Sequence, residues 1–265
     1  MTQTDYEIVQ ADCCEAAEAA ENVALTVTSP PYDGIRDYKG VWSVDLPRLG
    51  RGLLNATVEG GIAAVVIQDG TSDGAKSGTS ARLVCSWLDS GWRLFETVIW
   101  NRPGTPGAWW NNRFRVDHEF IFLFLKGKRP RFFDKAHLAV PAVCAGQMPW
   151  GKQSVRATNG ELIPSKNIKP VAETKCRGTV WNVGKSSYER NKTKQMHPAT
   201  FPDSLARDLI LCFSKPEDLV FDPFTGSGTT AVMALLEGRR FQGSEISQEY
   251  INISNERIRS EVFGK

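Results

Sequence analysis

The stretch Leu219-Val220-Phe221-Asp222-Pro223-Phe224-Thr225-Gly226-Ser227-Gly228-Thr229-Thr230 runs straight into Ala231-Val232-Met233-Ala234-Leu235-Leu236. No other part of the chain constrains the fold as much. A short apolar run predicts a buried strand, the paired glycines predict a tight turn, and the second apolar run predicts the start of a helix. Glycines let a backbone approach a ligand closely, and a helix N-terminus presents unpaired N–H groups. A strand, turn and helix in this order suit a nucleotide-like cofactor. Taken alone, the same pattern also describes an ordinary strand–helix corner.

Seven short apolar runs read as buried strands: Tyr6–Val9, Leu25–Thr28, Ile62–Ile67, Arg93–Trp100, Phe120–Leu125, Leu219–Phe221 and Arg240–Gly243. Helical patterns separate several of them, over Leu46–Val58, Ser80–Leu88, Ser204–Cys212, Thr229–Leu236 and Gln248–Ile258. Such alternation predicts an α/β fold, doubly wound around a mostly parallel seven-stranded sheet. The two runs within Arg93–Leu125 have no helix between them and are expected to pair antiparallel at one edge. From about Lys126 to Gln195 periodicity fails, over a length too great for an ordinary loop.

The net charge of +2 conceals an asymmetry. Residues 1–125 hold 10 Lys/Arg and 16 Asp/Glu, giving −6, and residues 196–265 hold 7 and 10, giving −3. Residues 126–195 hold 15 against 4, giving +11, and a basic block of this kind suits a polyanion. Six scattered cysteines without a Cys-x-x-Cys, and three histidines, argue against a disulfide frame and a structural metal. Cys85, Cys144, Cys176 and Cys212 read as packing residues. No run is long enough to span a membrane, and Met1-Thr2-Gln3-Thr4-Asp5 is not a signal peptide, so a cytoplasmic location is expected.

A second motif, Thr28-Ser29-Pro30-Pro31-Tyr32, ends the apolar run Val23–Val27. Two prolines stiffen this backbone and remove two donors, which leaves carbonyls to accept. A hydroxyl at Ser29 and a ring at Tyr32 complete a set that can grip a flat base by its amino group and its face. A rigid loop is the plainer reading of the same four residues.

Together the two motifs resemble those of the amino-methylating DNA methyltransferases, which move a methyl group from S-adenosylmethionine to an exocyclic nitrogen. Ser29-Pro30-Pro31-Tyr32 matches their target motif, and Phe224-Thr225-Gly226-Ser227-Gly228 matches their Phe-x-Gly-x-Gly cofactor turn. Target motif first and cofactor motif last resembles the circularly permuted beta group, whose fold is a Rossmann-like seven-stranded sheet with an edge pair.

The resemblance implies catalytic roles for Ser29, Pro30, Pro31 and Tyr32. It implies a cofactor site at Asp222, Phe224, Gly226, Gly228 and Thr229. Glu245, which ends the next strand, is expected to accept both ribose hydroxyls. Asp12, at the end of the first strand, is expected to accept from the adenine amino group, to cap the following helix, or to do both. The implied layout is a catalytic core over 1–128, a target-recognition insertion over 129–195, and the cofactor-binding part of the core over 196–265. Lys166, Lys169, Lys175, Arg177, Lys192 and Lys194 are the residues expected to bind DNA. Trp109-Trp110-Asn111-Asn112-Arg113, Arg36 and Tyr38 are further candidates to support DNA. His197-Pro198-Ala199-Thr200-Phe201-Pro202 looks like the segment flanking the cofactor. The partner implied is double-stranded DNA, with room for a homodimer and a cognate restriction endonuclease.

A Ser at the first target position goes mostly with cytosine in that family, and an Asp with adenine. Cytosine N4 is therefore the expected target and adenine N6 the alternative. Carbon-5 cytosine methylation needs a Pro-Cys pair, which the chain lacks. Rival readings are an RNA or protein amide methyltransferase and a DNA-binding protein that has lost activity.

Overall fold

The computed structural model describes residues 5–31, 44–72, 74–102, 114–149, 154–165, 168–184 and 201–264. The chain divides into two compact units, one formed by residues 1–134 and 179–265 and the other by Lys135–Gly178. Arg129–Asp134 and Thr179–Gly184, which the sequence assigns to the insertion, belong to the large unit.

The large unit is built on one sheet. Its strands are β1 (Tyr6–Gln10), β2 (Val23–Thr28), β3 (Thr57–Ile67), β4 (Arg93–Asn101), β5 (His118–Leu125), β6 (Val180–Asn182), β7 (Leu219–Asp222) and β8 (Arg240–Glu245). Their order across the sheet is β1-β8-β7-β2-β3-β5-β4-β6. Only β5 runs against the rest, through its pairings with β3 and β4. All six residues of β2 are buried, as expected of an inner parallel strand covered on both faces.

The expectation of seven strands is corrected to eight. The chain returns after the small unit to lay Val180–Asn182 parallel to β4, pairing Val180 with Ile99, Trp181 with Trp100 and Asn182 with Asn101. The antiparallel pair therefore does not form the sheet edge. Three residues with a single apolar anchor, the buried Trp181, carry too little pattern to read as a strand. Trp100 Nε1 secures the return by donating to the Val183 carbonyl at 2.7 Å.

Among the described residues the unit also holds the helices α1 (Cys13–Ala19), α2 (Leu46–Ala56), α3 (Thr79–Asp89), α4 (Asp203–Phe213), α5 (Thr229–Leu236) and α6 (Gln248–Glu261). On β3, Ala63, Val65 and Ile67 join a core with Leu49, Leu53, Leu83 and Trp87 from α2 and α3. The alternate residues Ile62, Ala64 and Val66 are also buried and point the other way, where α4 packs on β2 and β3. Trp87 and Trp92 stack at 5.8 Å and donate their indole N–H groups to the carbonyls of Leu46 and Gly50. Among the described residues no helix is long and apolar enough to cross a membrane.

The small unit holds two antiparallel pairs, Ala139–Pro141 with Thr174–Cys176 and Ser154–Arg156 with Leu162–Pro164. Cysteine placement corrects a reading: Cys212 is buried, but Cys85, Cys144 and Cys176 are exposed and fill no core.

Candidate active site

Strands β1, β8, β7 and β2 are neighbours and parallel, so the segments that follow them leave the sheet at one end. Asp12 follows β1, Ser29-Pro30-Pro31 follows β2, the glycine turn follows β7, and Glu245 closes β8. Gln10 pairs with Glu245, and Asp222 pairs with Gly243. Residues more than 200 positions apart thus meet at a single sheet end, the usual place for a ligand in an open α/β sheet.

The glycine turn bends through two left-handed residues, Gly226 at φ 50° and Gly228 at φ 80°. A side chain at Gly228 would also press on Ser254, whose Cβ lies 2.9 Å from the position a new Cβ would take. Glu245 organises the turn from below: its Oε2 accepts from Gly226 N–H and its Oε1 from Ser247 N–H, both at 3.0 Å. A carboxylate has about four acceptor positions, so roughly two remain for a ligand's hydroxyls. Ser227, between the glycines, is buried, and its Oγ has no partner among the described residues. An unpaired buried hydroxyl is costly until something polar reaches it. Turn, carboxylate and hydroxyl together fit a ligand carrying a diol and further polar groups.

Asp12 caps α1, accepting from Cys14 N–H at 2.8 Å and Glu15 N–H at 3.4 Å through one oxygen. That is the capping role expected for it. Asp12, Cys13 and Cys14 put ligand-type atoms within 4.8 Å of one another. Burial, with the neighbouring Cys14 and Asp12, pushes the Cys13 thiol up.

Asp222 lies deeper than expected of a cofactor ligand. Its side chain is buried, Oδ1 accepts from Thr28 Oγ1 at 2.7 Å and Phe224 N–H at 3.0 Å, and Oδ2 accepts from Thr230 Oγ1 at 2.8 Å. Burial raises its carboxyl from 3.8 to about 6, against the lowering effect of those hydrogen bonds. A carboxyl raised by folding is neutral to stability below about pH 3.8, where both states are protonated; its cost builds as pH rises from there to about 6 and is complete above that.

Arg257 of α6 carries no signal in the sequence. Its buried guanidinium donates to both oxygens of Asp203 at 2.7 and 2.8 Å, to Thr229 Oγ1 at 3.1 Å and to Glu261 at 2.9 Å. It therefore joins the first residue of α4 to the first residue of α5, directly after Gly228. Thr28 and Thr230 stand in the quoted motifs without a role, and Ser254 escapes notice, for the same reason. Each acts through a partner that sequence spacing does not reveal.

On the target side, Ser29 and Pro31 are half-buried and Pro30 is buried. Phe224 is half-buried and Thr229 buried. Tyr32, Arg36, Tyr38, Trp109–Arg113, Lys166, Lys192, Lys194 and His197 lie outside the described residues. Lys169 and Lys175 are exposed on the small unit, and Arg177 is half-buried there.

The family model described as DNA methylase matches residues 23–256. The chain belongs to the DNA methylase family. Among curated relatives it is 34% identical to the orphan methyltransferase M.BamHII of Bacillus amyloliquefaciens, over 91% of this chain and 90% of that protein. It is 27% identical to the type II methyltransferase M.SmaI of Serratia marcescens, over 95% and 90%. Its fold matches the PvuII DNA methyltransferase (cytosine-N4-specific) with a TM-score of 0.68 at 21% identity, covering 95% of this chain and 86% of that one. It also matches the M1.HpyAVI–S-adenosylmethionine complex with a TM-score of 0.60 at 18% identity, covering 95% and 99%. The chain is a site-specific DNA methyltransferase that uses S-adenosylmethionine.

Proposed function

We propose that the enzyme methylates the N4 amino group of cytosine in double-stranded DNA, acting on a base flipped out of the duplex. The observation that supports this most is the shared sheet end, where the Ser29–Pro31 loop and the glycine turn leave adjacent parallel strands. An exocyclic amino group is a poor nucleophile because its lone pair is delocalised into the ring. In this reading the Ser29 hydroxyl and the Pro30 carbonyl accept its two hydrogens and draw the lone pair back onto nitrogen. Tyr32 stacks on the base. Positioning and polarisation then supply the catalysis without a covalent intermediate.

When bound, S-adenosylmethionine would supply an electrophilic sulfonium methyl group to the base nitrogen, leaving as the neutral thioether while the amino group releases one proton to solvent. Glu245 accepts the ribose hydroxyls on its remaining lone pairs. Gly226 and Gly228 would let the backbone close on the amino acid half, beside Phe224, Ser227 and Thr229, and Asp12 would accept from the adenine amino group. Lys169, Lys175 and Arg177, with Lys166, Lys192 and Lys194, meet the DNA backbone.

Ser29 sets the preference for cytosine. A short hydroxyl adds no negative charge beside the base, whereas a carboxylate would be the stronger acceptor suited to adenine N6. The cytosine-N4 specificity of the PvuII enzyme agrees. The second reading is adenine N6, favoured by 38% identity over 90 residues to the DNA adenine methyltransferase YhdJ of Escherichia coli. Mass spectrometry of nucleosides from methylated DNA tests the choice, with N4-methylcytosine expected. N6-methyladenine as the sole product would replace the cytosine reading, and 5-methylcytosine would overturn the mechanism too.

A further inference from the structure

Between the two motif loops lies a buried polar link that neither motif contains as such. Thr28 is the last residue of β2 and directly precedes Ser29, while Asp222 is the last residue of β7 and opens the glycine turn. Their side chains meet at 2.7 Å across 194 positions of sequence. Thr230, in the first turn of α5, reaches the other Asp222 oxygen at 2.8 Å and also lies 3.2 Å from the carbonyl of Val27. All three side chains are buried.

We propose that Asp222 is a positioning residue whose carboxylate, held by Thr28 and Thr230, fixes the Ser29–Pro31 loop relative to the glycine turn. First, the carboxylate is taken up by protein groups: one oxygen accepts twice and the other once, from both loops and from α5. Second, a buried carboxylate is expensive where an apolar residue would fill a strand end without a desolvation cost. What the charge-bearing group gives in return is three directed bonds between segments that must agree in position. Methyl transfer needs an in-line approach, and a misplacement of about 1 Å can cost on the order of a hundredfold in rate. The bond through Thr28 joins the two adjacent strands at their final residues, the last fixed points before each loop departs.

The inference rests on the methyltransfer reading above, and the test separates the two. Thr28→Val keeps the shape of the side chain and replaces the hydroxyl with a methyl. With a positioning role, its kcat for DNA methylation falls by about tenfold or more while S-adenosylmethionine affinity by calorimetry stays within roughly twofold. Asp222→Ala should behave similarly. Asp222→Asn should recover most of that loss, because its amide oxygen can accept from Thr28 and Phe224 while its NH₂ donates to Thr230 Oγ1. Hydrogen exchange of the Phe224 amide in Thr28→Val, read by NMR without cofactor or DNA, should accelerate about tenfold as its acceptor loosens.

Wild-type kcat in Thr28→Val would overturn the proposal. So would an Asp222→Asn enzyme that loses cofactor affinity about tenfold at unchanged kcat, since the charge would then serve the cofactor directly. A wild-type enzyme unable to methylate DNA would instead sink the methyltransfer reading, and unchanged Phe224 exchange in Thr28→Val would by itself decide against the link.

Discussion

The sheet end of the large unit and the small unit Lys135–Gly178 are built on opposite principles. At the sheet end, Thr28, Asp222, Thr225, Ser227, Thr229, Thr230 and Arg257 are all buried polar residues, and bonds among them span long stretches of chain. The small unit has short paired strands, and Val155, Leu162 and Ile163 stand exposed on its hairpin. It carries 7 Lys/Arg against 2 Asp/Glu, or +5 in charge. Each kind of work sets its own demand for rigidity. Chemistry at a sulfonium methyl demands fixed atoms, so polar groups are buried and held at a cost. Meeting a polyanion, the role expected of the small unit, demands accessible charge.

Breaking the first half of this contrast has the largest expected effect. Arg257→Ala removes a buried guanidinium, breaks its two bonds to the half-buried Asp203 carboxylate and unties two helix starts. A loss of about 3 kcal/mol is expected by urea unfolding. A loss below about 1 kcal/mol would mean that the sheet end is no more tightly organised than a surface. Glu245→Ala sharpens the comparison at the next level. It removes a charged acceptor, worth about 1.5–3 kcal/mol, so the dissociation constant for S-adenosylmethionine should rise roughly ten- to a hundredfold. Calorimetry measures this, and Gly226→Val should act in the same direction by blocking the left-handed turn. The smallest stability effect belongs to the small unit. Lys169→Glu with Lys175→Glu should leave unfolding within about 0.5 kcal/mol of wild type. The same pair should weaken DNA binding and flatten its log–log salt dependence by about one for each phosphate no longer neutralised. Unchanged salt dependence would strip the small unit of its expected role.

Much of the fold was legible because parallel strands buried on both faces must be apolar throughout. Leu25–Thr28 and Ile62–Ile67 therefore announced themselves, and the paired glycines marked the tight turn. The eighth strand was not legible. Val180–Asn182 is held by one tryptophan and a partner strand, with an exposed valine beside it, so no local period survives. Helix α1 was equally quiet, a single run of seven residues whose clearest signal was its Asp12 cap. In the site, chain-local signals worked: strand-end spacing singled out Glu245, which does sit against the glycine turn. Thr28, Thr230 and Arg257 stayed hidden because their meaning lies in a distant partner. Asp222 stood out as part of a motif, but its depth and its bonds to Thr28 and Thr230 required the fold.

The return of the chain through Val180–Asn182 has an evolutionary consequence. The segment before the small unit is stitched to the large one by Gly60 N–H on Lys126, Arg131 N–H on Gly60 and Asp134 N–H on Cys212. The segment after it is stitched by Ile99 N–H on Thr179 and by the strand itself. Both ends are thus fixed by the large unit's own hydrogen bonds, and what lies between is a closed loop in the polymer sense. Closure entropy grows only logarithmically, so doubling the length of such a loop costs about 0.6 kcal/mol. The sequence between these stitches can therefore grow at little closure cost while the sheet end stays in place.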